Sequence, residues 1–147
     1  MRVLALTRVL AIVAFVACSS AVPPTAPTAM LVDGGTPPAA GAGVMGRWLG
    51  VGHGVSGSVR FTVKDGVGRL DFSDDFTLTD APGPFVYLNT TNNANKGTPL
   101  RISALKSNRG AQSYTFQMPA GAVYTWVLLW CDPFNVALAE TQIPPTP

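Results

Sequence analysis

The sequence predicts an all-β domain that folds as a β-sandwich or a jelly-roll-like barrel of about eight strands. Short runs rich in β-branched and aromatic residues, some with alternating apolar and polar residues, recur along residues 44–143. No run keeps the period of an amphipathic helix, and turn-forming residues separate the runs. Because two sheets can cover each other's apolar faces, strands at this spacing favour a sandwich or a barrel.

Eight segments have strand character, with glycine, proline and asparagine residues between them. In chain order they are residues 47–51, 55–64, 68–72, 85–89, 100–105, 113–118, 123–130 and 134–139. Asp65 and Gly66 predict a tight hairpin after Lys64, because both residues tolerate the positive φ angles of a two-residue connection. A longer, asparagine-rich loop is expected over 92–97.

Two of these segments differ in how their apolar residues are spaced. Three apolar residues, Val59, Phe61 and Val63, alternate with polar ones, which are Arg60, Thr62 and Lys64. This pattern predicts a strand with one face in solvent. Residues 123–130 are almost continuously apolar, so we expect a central strand with both faces covered.

A turn is predicted directly after this central strand. Pro133 cannot donate a ladder hydrogen bond and disfavours helix at Asp132, so the chain should turn over 131–134. Cys131 would then lie at a strand end, where a rigid scaffold holds a side chain that stays reachable. Three apolar residues after the turn are expected to return to the core: Phe134, Val136 and Leu138.

Residues 1–21 have the pattern of an export signal. Arg2 and Arg8 accompany an apolar run, 9–17, that is too short to span a bilayer as a helix. The segment should therefore direct the protein out of the cytoplasm.

Residues 15–18, Phe-Val-Ala-Cys, resemble a bacterial lipobox in which Cys18 receives the lipid. Phe15 departs from the usual leucine, so ordinary cleavage after Ala21 stays open. We expect a protein anchored to the extracytoplasmic face of the cell membrane through Cys18, with secretion as the alternative.

Residues 22–43 consist mostly of Ala, Pro, Thr, Gly and Val, with Asp33 as their single charge. Such a segment buries too little apolar surface to offset its ordering entropy and predicts a disordered linker. Residues 144–147 predict a short tail, which leaves one domain over 44–143.

The charge balance argues against a nucleic-acid partner. The net charge of +2 includes Arg2 and Arg8, so a chain that begins near Cys18 is neutral, with eight basic and eight acidic residues. Its basic residues form no cluster that could neutralise several phosphates.

Cys131 is the main candidate for chemistry. Because Cys18 is either acylated or removed, Cys131 has no disulfide partner, which is unusual in an oxidising compartment. It is either a packed apolar residue, or a redox thiol or cofactor ligand. Its neighbours Trp130, Asp132 and Phe134 are apolar or acidic, which disfavours the thiolate.

His53 is the single histidine and is a candidate partner of Cys131, and Arg47 could also approach the thiol. One histidine excludes a blue-copper centre, and a c-type haem motif is absent from the sequence. A metal site completed by Met45, Met118 or carboxylates, or a haem held non-covalently by Cys131 or His53, stays open.

Three further patterns have weak support. Residues 52–57 satisfy G-x-G-x-x-G, but a strand follows where dinucleotide binding requires a helix. Four aspartates from Asp71 to Asp80 lack the glycine-punctuated loop of a calcium site. Ser56, His53 and Asp71 match no nucleophile motif.

Residues 130–136, Trp-Cys-Asp-Pro-Phe-Asn-Val, resemble the Trp-Cys-x-x-Phe-x-Val signature that closes the DM-thirteen domain, a family named for proposed electron transfer. Further blocks resemble the family in the same order: 53–57, 70–72, 84–88 and 105–114. The resemblance covers about residues 47 to 139.

The resemblance implies a redox role for the matching Cys131, as a thiol or as a ligand to a group such as haem. His53, the single histidine, is the candidate second group. Asp132 and Pro133 depart from the family pattern, in which polar or basic residues are more usual. We expect a tethered redox accessory domain, with a redox or surface protein as partner, rather than a stand-alone enzyme. The alternative is a non-catalytic binding module that presents loop 90–98 to a protein or glycan and keeps Cys131 packed beneath Trp130 and Phe134.

Overall fold

Eleven β-strands make up the secondary structure of the computed structural model, which describes residues 43–145. In chain order they are β1 (Val44–Arg47), β2 (Leu49–Gly50), β3 (Val55–Ser56), β4 (Ser58–Lys64), β5 (Val67–Phe72), β6 (Thr77–Leu78), β7 (Pro84–Asn89), β8 (Leu100–Ala104), β9 (Gln112–Gln117), β10 (Trp126–Cys131) and β11 (Val136–Gln142). The predicted all-β class is confirmed. Within 43–145, no helix is long and apolar enough to cross a membrane.

Two antiparallel sheets form a sandwich. One has the strand order β1-β4-β5-β9 and the other β2-β11-β10-β7-β8, while β3 and β6 make a small third sheet. Phe61 and Leu70 of the first sheet share one buried core with Leu88 and Leu129 of the second. The sandwich form of the prediction is therefore confirmed.

Strand β4 and its hairpin follow the sequence pattern closely. Val59 and Phe61 are fully buried and Arg60 is exposed, as expected for a strand with one face in solvent. Val63 departs from the pattern and is exposed, because it lies beside the hairpin turn at the end of the strand. Asp65 and Gly66 have φ angles of 51° and 76° and connect β4 to β5. These positive angles suit the twist of a tight hairpin.

The predicted strand at 47–51 is wrong in its bounds. Arg47 still pairs with Ser58 in the first sheet, whereas Gly50 pairs with Ala139 in the second. The chain changes sheets at Trp48, whose buried indole lies 5.1 Å from the Phe72 ring, centroid to centroid. Burial of this large side chain between the sheets interrupts the strand.

The predicted strand at 55–64 is also interrupted, at Gly57. This glycine has a φ of 89°, and the chain divides there into β3 and β4. Strand β3 pairs with β6, a two-residue strand that the sequence did not predict. The division lets one segment serve two sheets.

Strand β10 lies between β11 and β7, which confirms the predicted central strand. Both of its faces are covered: Val127 and Leu129 belong to the main core, and Leu128 and Trp130 to a second cluster on the outer face. The strand begins at Trp126 rather than at residue 123, because the preceding residues do not pair in the sheet.

The predicted return of three apolar residues to the core is wrong for two of them. Phe134 and Val136 are 67% and 47% exposed, and only Leu138 is buried. The turn after Cys131 includes Asn135 at a φ of 55°, and a register shift occurs between Leu129 and Trp130. Phe134 therefore stays at the tip of the turn.

The predicted signal over 1–21, residues 22–42 of the predicted linker and residues 146–147 of the tail lie outside the described residues. Their interpretation rests on the sequence alone.

Gly57 provides a test of this packing, with Gly110 as a matched control. Both have positive φ, so alanine at either position should cost about 1–2 kcal/mol in backbone strain. A Cβ at Gly57 would also lie 2.8 Å from the Phe76 Cα, whereas nothing lies within 4 Å of one at Gly110. We expect Gly57→Ala to lower the free energy of unfolding by about 1–3 kcal/mol more than Gly110→Ala, as measured by urea denaturation. Equal losses would contradict the close approach at Gly57.

Candidate functional site

Cys131 is the last residue of β10 and pairs with Pro84 of β7 and Val136 of β11. The predicted position at a strand end is confirmed. The expected accessibility is not, because the side chain is only 1% exposed and belongs to the main core. The alternation of β10 directs Cys131 to the same side as Val127 and Leu129, toward the interior of the sandwich.

The predicted packing of Cys131 beneath Trp130 and Phe134 is wrong. Trp130 lies on the opposite face of β10, and Phe134 is exposed.

The Cys131 thiol donates a hydrogen bond to the Pro82 carbonyl oxygen, with 2.9 Å between Sγ and O. A carbonyl oxygen can only accept, so the thiol is the donor in this contact. Pro82 and Gly83 are exposed. The sulfur therefore lies directly beneath a piece of surface backbone rather than at the centre of the core.

Residues 80–83, called the cover segment below, connect β6 to β7. In the part of the chain that the structure describes, the backbone groups of these residues form no hydrogen bond with another backbone group. A side-chain hydrogen bond from Asn108 to Asp80 holds the first residue, and Gly83 lies against Pro133. A segment with so few backbone hydrogen bonds can open without global unfolding.

His53 lies in the loop between β2 and β3, half-buried. The loop runs beside the residue that precedes the cover segment: Thr79 N donates to Gly54 O at 2.9 Å, and Gly54 N donates to Thr79 Oγ1 at 3.1 Å. Val51 N donates to Leu138 O, near the start of β11. The topology thus places His53 at the same end of the sandwich as Cys131. The hydrogen-bond partner of the thiol, however, is the Pro82 carbonyl oxygen.

The remaining candidate ligands are not brought to the thiol. Met45 is exposed on β1, and Met118 follows β9, so both belong to the other sheet. Arg47, on β1, is exposed and pairs with Ser58. Residues 43–145 contain no group of three or more His, Cys, Asp or Glu residues that could hold a metal ion.

A haem or metal ion does not fit Cys131 in this arrangement. The Cys131 side chain is almost completely buried, and its thiol donates a hydrogen bond to the Pro82 carbonyl oxygen. The sulfur therefore has no exposed side to which a haem iron or a metal ion could bind. The thiol itself is the group whose chemistry the arrangement supports.

Asp132, the next residue, links two strands on the outer face of the second sheet. Its Oδ2 accepts from Arg101 Nε on β8 at 2.8 Å, and its Oδ1 accepts from the Tyr87 hydroxyl on β7 at 2.8 Å. The Arg101 guanidinium also lies 3.5 Å from the centroid of the Phe85 ring. Arg101 is therefore paired with Asp132 on the outer face, opposite the side of the sheet that carries the Cys131 thiol.

Tyr87 is 6% exposed and forms a buried cluster with Leu128 and Trp130, called the outer cluster below. Burial, and next the hydrogen bond to the Asp132 carboxylate, raise the pKa of Tyr87 well above its ordinary value. Its hydroxyl thus stays protonated at neutral pH. The sequence did not indicate Tyr87 or Arg101, because only the pairing of β7 with β8 and β10 brings them to Asp132.

The loop after β7 is held by a buried asparagine. Asn89 Nδ2 donates to the carbonyl oxygens of Asn93 and Lys96, at 2.7 and 2.9 Å. Ala94 of this loop packs against the outer cluster. The loop that the binding-module alternative would present is therefore fixed to the sheet rather than free.

The remaining polar patterns are structural. Ser56 Oγ lies 2.7 Å from the carbonyl oxygen of Asp75, to which it donates. Although burial raises the pKa of Asp71, hydrogen bonds from Arg69 and Ser113 and the Arg69 charge lower it below the ordinary value. Ser56 and Asp71 thus have partners other than His53.

Comparison with known families agrees with the resemblance in the sequence. The family model described as Electron transfer DM13 matches residues 50–143, a range that contains His53, Pro82, Tyr87 and Cys131. No curated protein and no solved structure matches the chain. Because the match covers well over half of the sequence, the chain belongs to the DM13 electron-transfer family.

Proposed function

We propose that the protein is an exported, membrane-tethered electron-transfer module in which the Cys131 thiol is the group that is oxidised and reduced. Family membership supports the electron-transfer class. The observation that carries the proposal is the position of a free thiol under the cover segment, held by one hydrogen bond to Pro82. Local opening of that segment would bring the sulfur to solvent.

The reaction that suits such a thiol is exchange with a partner's disulfide. When the cover segment opens, the Cys131 thiol gives its proton to solvent, and the thiolate attacks one sulfur of the disulfide. A bond forms between that sulfur and Cys131, the partner's own disulfide bond breaks, and its other sulfur leaves as a thiolate. A second thiol then attacks the mixed disulfide and returns Cys131 to its reduced form. Each cycle moves two electrons.

The surface near the turn suits a protein partner. Phe134 is 67% exposed at the tip of the turn, and Val136 is exposed beside it on β11. Leu49 and Val51 are exposed at the adjoining edge of the same sheet. Exposed apolar side chains can form part of a contact surface, so we propose that a redox partner binds at this end.

The tether follows from the N-terminal sequence. Lipid on Cys18 would hold the protein to the extracytoplasmic face of the cell membrane, and residues 22–43 would connect it to the domain. An extended proline-rich linker of this kind separates a domain from its anchor.

The burial of Cys131 favours a second function: a non-catalytic binding module in which this cysteine is a packing residue. Its side chain is 1% exposed and contacts the main core. The two functions differ in one physical property, because only the first requires the thiol to react while the domain is folded.

Disulfide exchange on the folded protein distinguishes the two functions. We expect the reduced protein to gain one glutathione at Cys131 when it is incubated with oxidised glutathione without denaturant, and Cys131→Ser to gain none. Mass spectrometry after acid quenching measures the product. A wild-type protein that reacts only after denaturation would support the packing function. An absorption band or bound metal that Cys131→Ser lacks would instead assign the sulfur a ligand role and contradict the thiol proposal.

Lipidation is tested separately, by expression of the full chain in a bacterial host. We expect the wild-type protein to enter the detergent phase on Triton X-114 partitioning and to carry acyl mass on Cys18. Cys18→Ala should move to the aqueous phase, because the thiol that receives the lipid is lost. Identical partitioning of the two proteins, with a mature N-terminus after Ala21, would show ordinary secretion.

A further inference from the structure

We propose that Tyr87 and Asp132 form a second redox group, in which Tyr87 loses one electron while its phenolic proton moves to the Asp132 carboxylate. The inference rests on the proposed electron-transfer function but not on the reactivity of Cys131. It assigns chemistry to the outer face of the second sheet, opposite the face that carries the thiol.

The hydrogen bond between the two residues is the first observation. The Tyr87 hydroxyl donates to Asp132 Oδ1 at 2.8 Å, and Tyr87 is 6% exposed. An oxidised phenol is a strong acid, and in apolar surroundings its proton needs an acceptor within hydrogen-bond distance. The Asp132 carboxylate is a base already in that position.

The other two tyrosines lack this arrangement, although both are buried. The Tyr114 hydroxyl donates to Gln112 Oε1 at 2.7 Å, and an amide oxygen is too weak a base to take the proton. Tyr124 has no hydrogen bond from its hydroxyl to a carboxylate in the described part of the chain; burial raises its pKa. Tyr87 is thus the tyrosine from which oxidation can proceed without a charged product.

Arg101 fixes the acceptor. Its Nε donates to Asp132 Oδ2 at 2.8 Å, which orients the carboxylate and leaves Oδ1 directed at Tyr87. Glu140 on β11, which pairs with Leu128 on β10, is the other charged residue in the strands of this sheet. Its carboxylate accepts a long hydrogen bond from Asn92 rather than one from Tyr87. The carboxylate at Tyr87 therefore belongs to Asp132.

The outer cluster gives the electron an exit. Tyr87 pairs with Leu128 across the strands, which places Trp130 at the diagonal position on the same face. Trp130 Nε1 donates to Asn135 Oδ1 in the exposed turn. The outer cluster thus extends from the Tyr87 ring to the exposed turn that contains Asn135.

Oxidation of the pair moves one electron and one proton away from Tyr87. One electron passes from the phenol to a one-electron oxidant, an oxidised metal complex or a partner's high-potential metal centre. The phenolic O–H bond breaks and the proton forms an O–H bond on Asp132, which leaves a neutral tyrosyl radical beside a neutral carboxylic acid. Arg101 keeps its charge, and one electron from a reductant, with return of the proton, restores the pair.

The test uses a photo-oxidised ruthenium tris-bipyridine complex on the purified full chain, with detection by transient absorption and electron paramagnetic resonance. We expect a tyrosyl radical that Tyr87→Phe abolishes and Tyr114→Phe retains. Asp132→Asn should slow its formation by on the order of 100-fold, because an amide accepts a hydrogen bond but not a proton. In wild type, the formation rate should stay constant from neutral to mildly alkaline pH, since the proton goes to Asp132 rather than to water.

A radical that persists in Tyr87→Phe, or a wild-type rate that rises with pH, would overturn the proposal. The pH measurement needs no variant, so it holds even if Asp132→Asn fails to fold. Two controls separate this inference from the proposed function: Cys131→Ser should still form the radical, and Tyr87→Phe should still gain glutathione at Cys131. Loss of glutathione exchange alone would remove the thiol function and leave the tyrosine pair intact.

Discussion

Strand β10 has apolar partners on both faces, and the positions of the two proposed redox groups, Cys131 and Tyr87, follow from that constraint. Val127 and Leu129 must face the main core, so strand alternation also turns Cys131 inward. Trp130 must face outward, where β7 supplies Tyr87. Full burial of an apolar side chain such as Leu129 contributes about 1.5–3 kcal/mol to the stability of the fold. A slip of one residue in the register of β10 would expose several such side chains and is therefore disfavoured. The thiol and the phenol consequently lie on opposite faces of one central strand.

The cover segment reconciles a buried thiol with an electron-transfer family. In the resting state, the Cys131 thiol donates a hydrogen bond to the Pro82 carbonyl oxygen, and the surrounding core keeps the sulfur from solvent. Access then depends on the free energy of a local opening rather than on the pKa of an exposed group. Such a thiol would resist general oxidation in an oxidising compartment and react when a partner stabilises the open segment.

The parts of this fold that the sequence predicted have local causes. The Asp65-Gly66 hairpin depends on backbone preferences, and the central strand on an unbroken apolar run. The missed features depend on contacts between distant segments. Trp48 interrupts a strand because its indole fits between two sheets, and Phe134 stays exposed because of the turn geometry at Asn135. Likewise, the sequence identified Cys131 as a candidate because it lacks a disulfide partner. The sequence could not predict the cover segment, because only the pairing of β7 with β10 brings residues 80–83 over the end of β10.

The most direct test of the account is the urea dependence of Cys131 labelling by a thiol reagent, compared with global unfolding followed by tryptophan fluorescence. If the cover segment opens locally, the free energy of the opening that permits labelling will lie below the free energy of global unfolding. It will also be almost independent of urea at low concentrations, because a local opening exposes little surface. If labelling instead has the same free energy and the same urea slope as global unfolding, the thiol is reached only in the unfolded chain, and Cys131 is a packing residue.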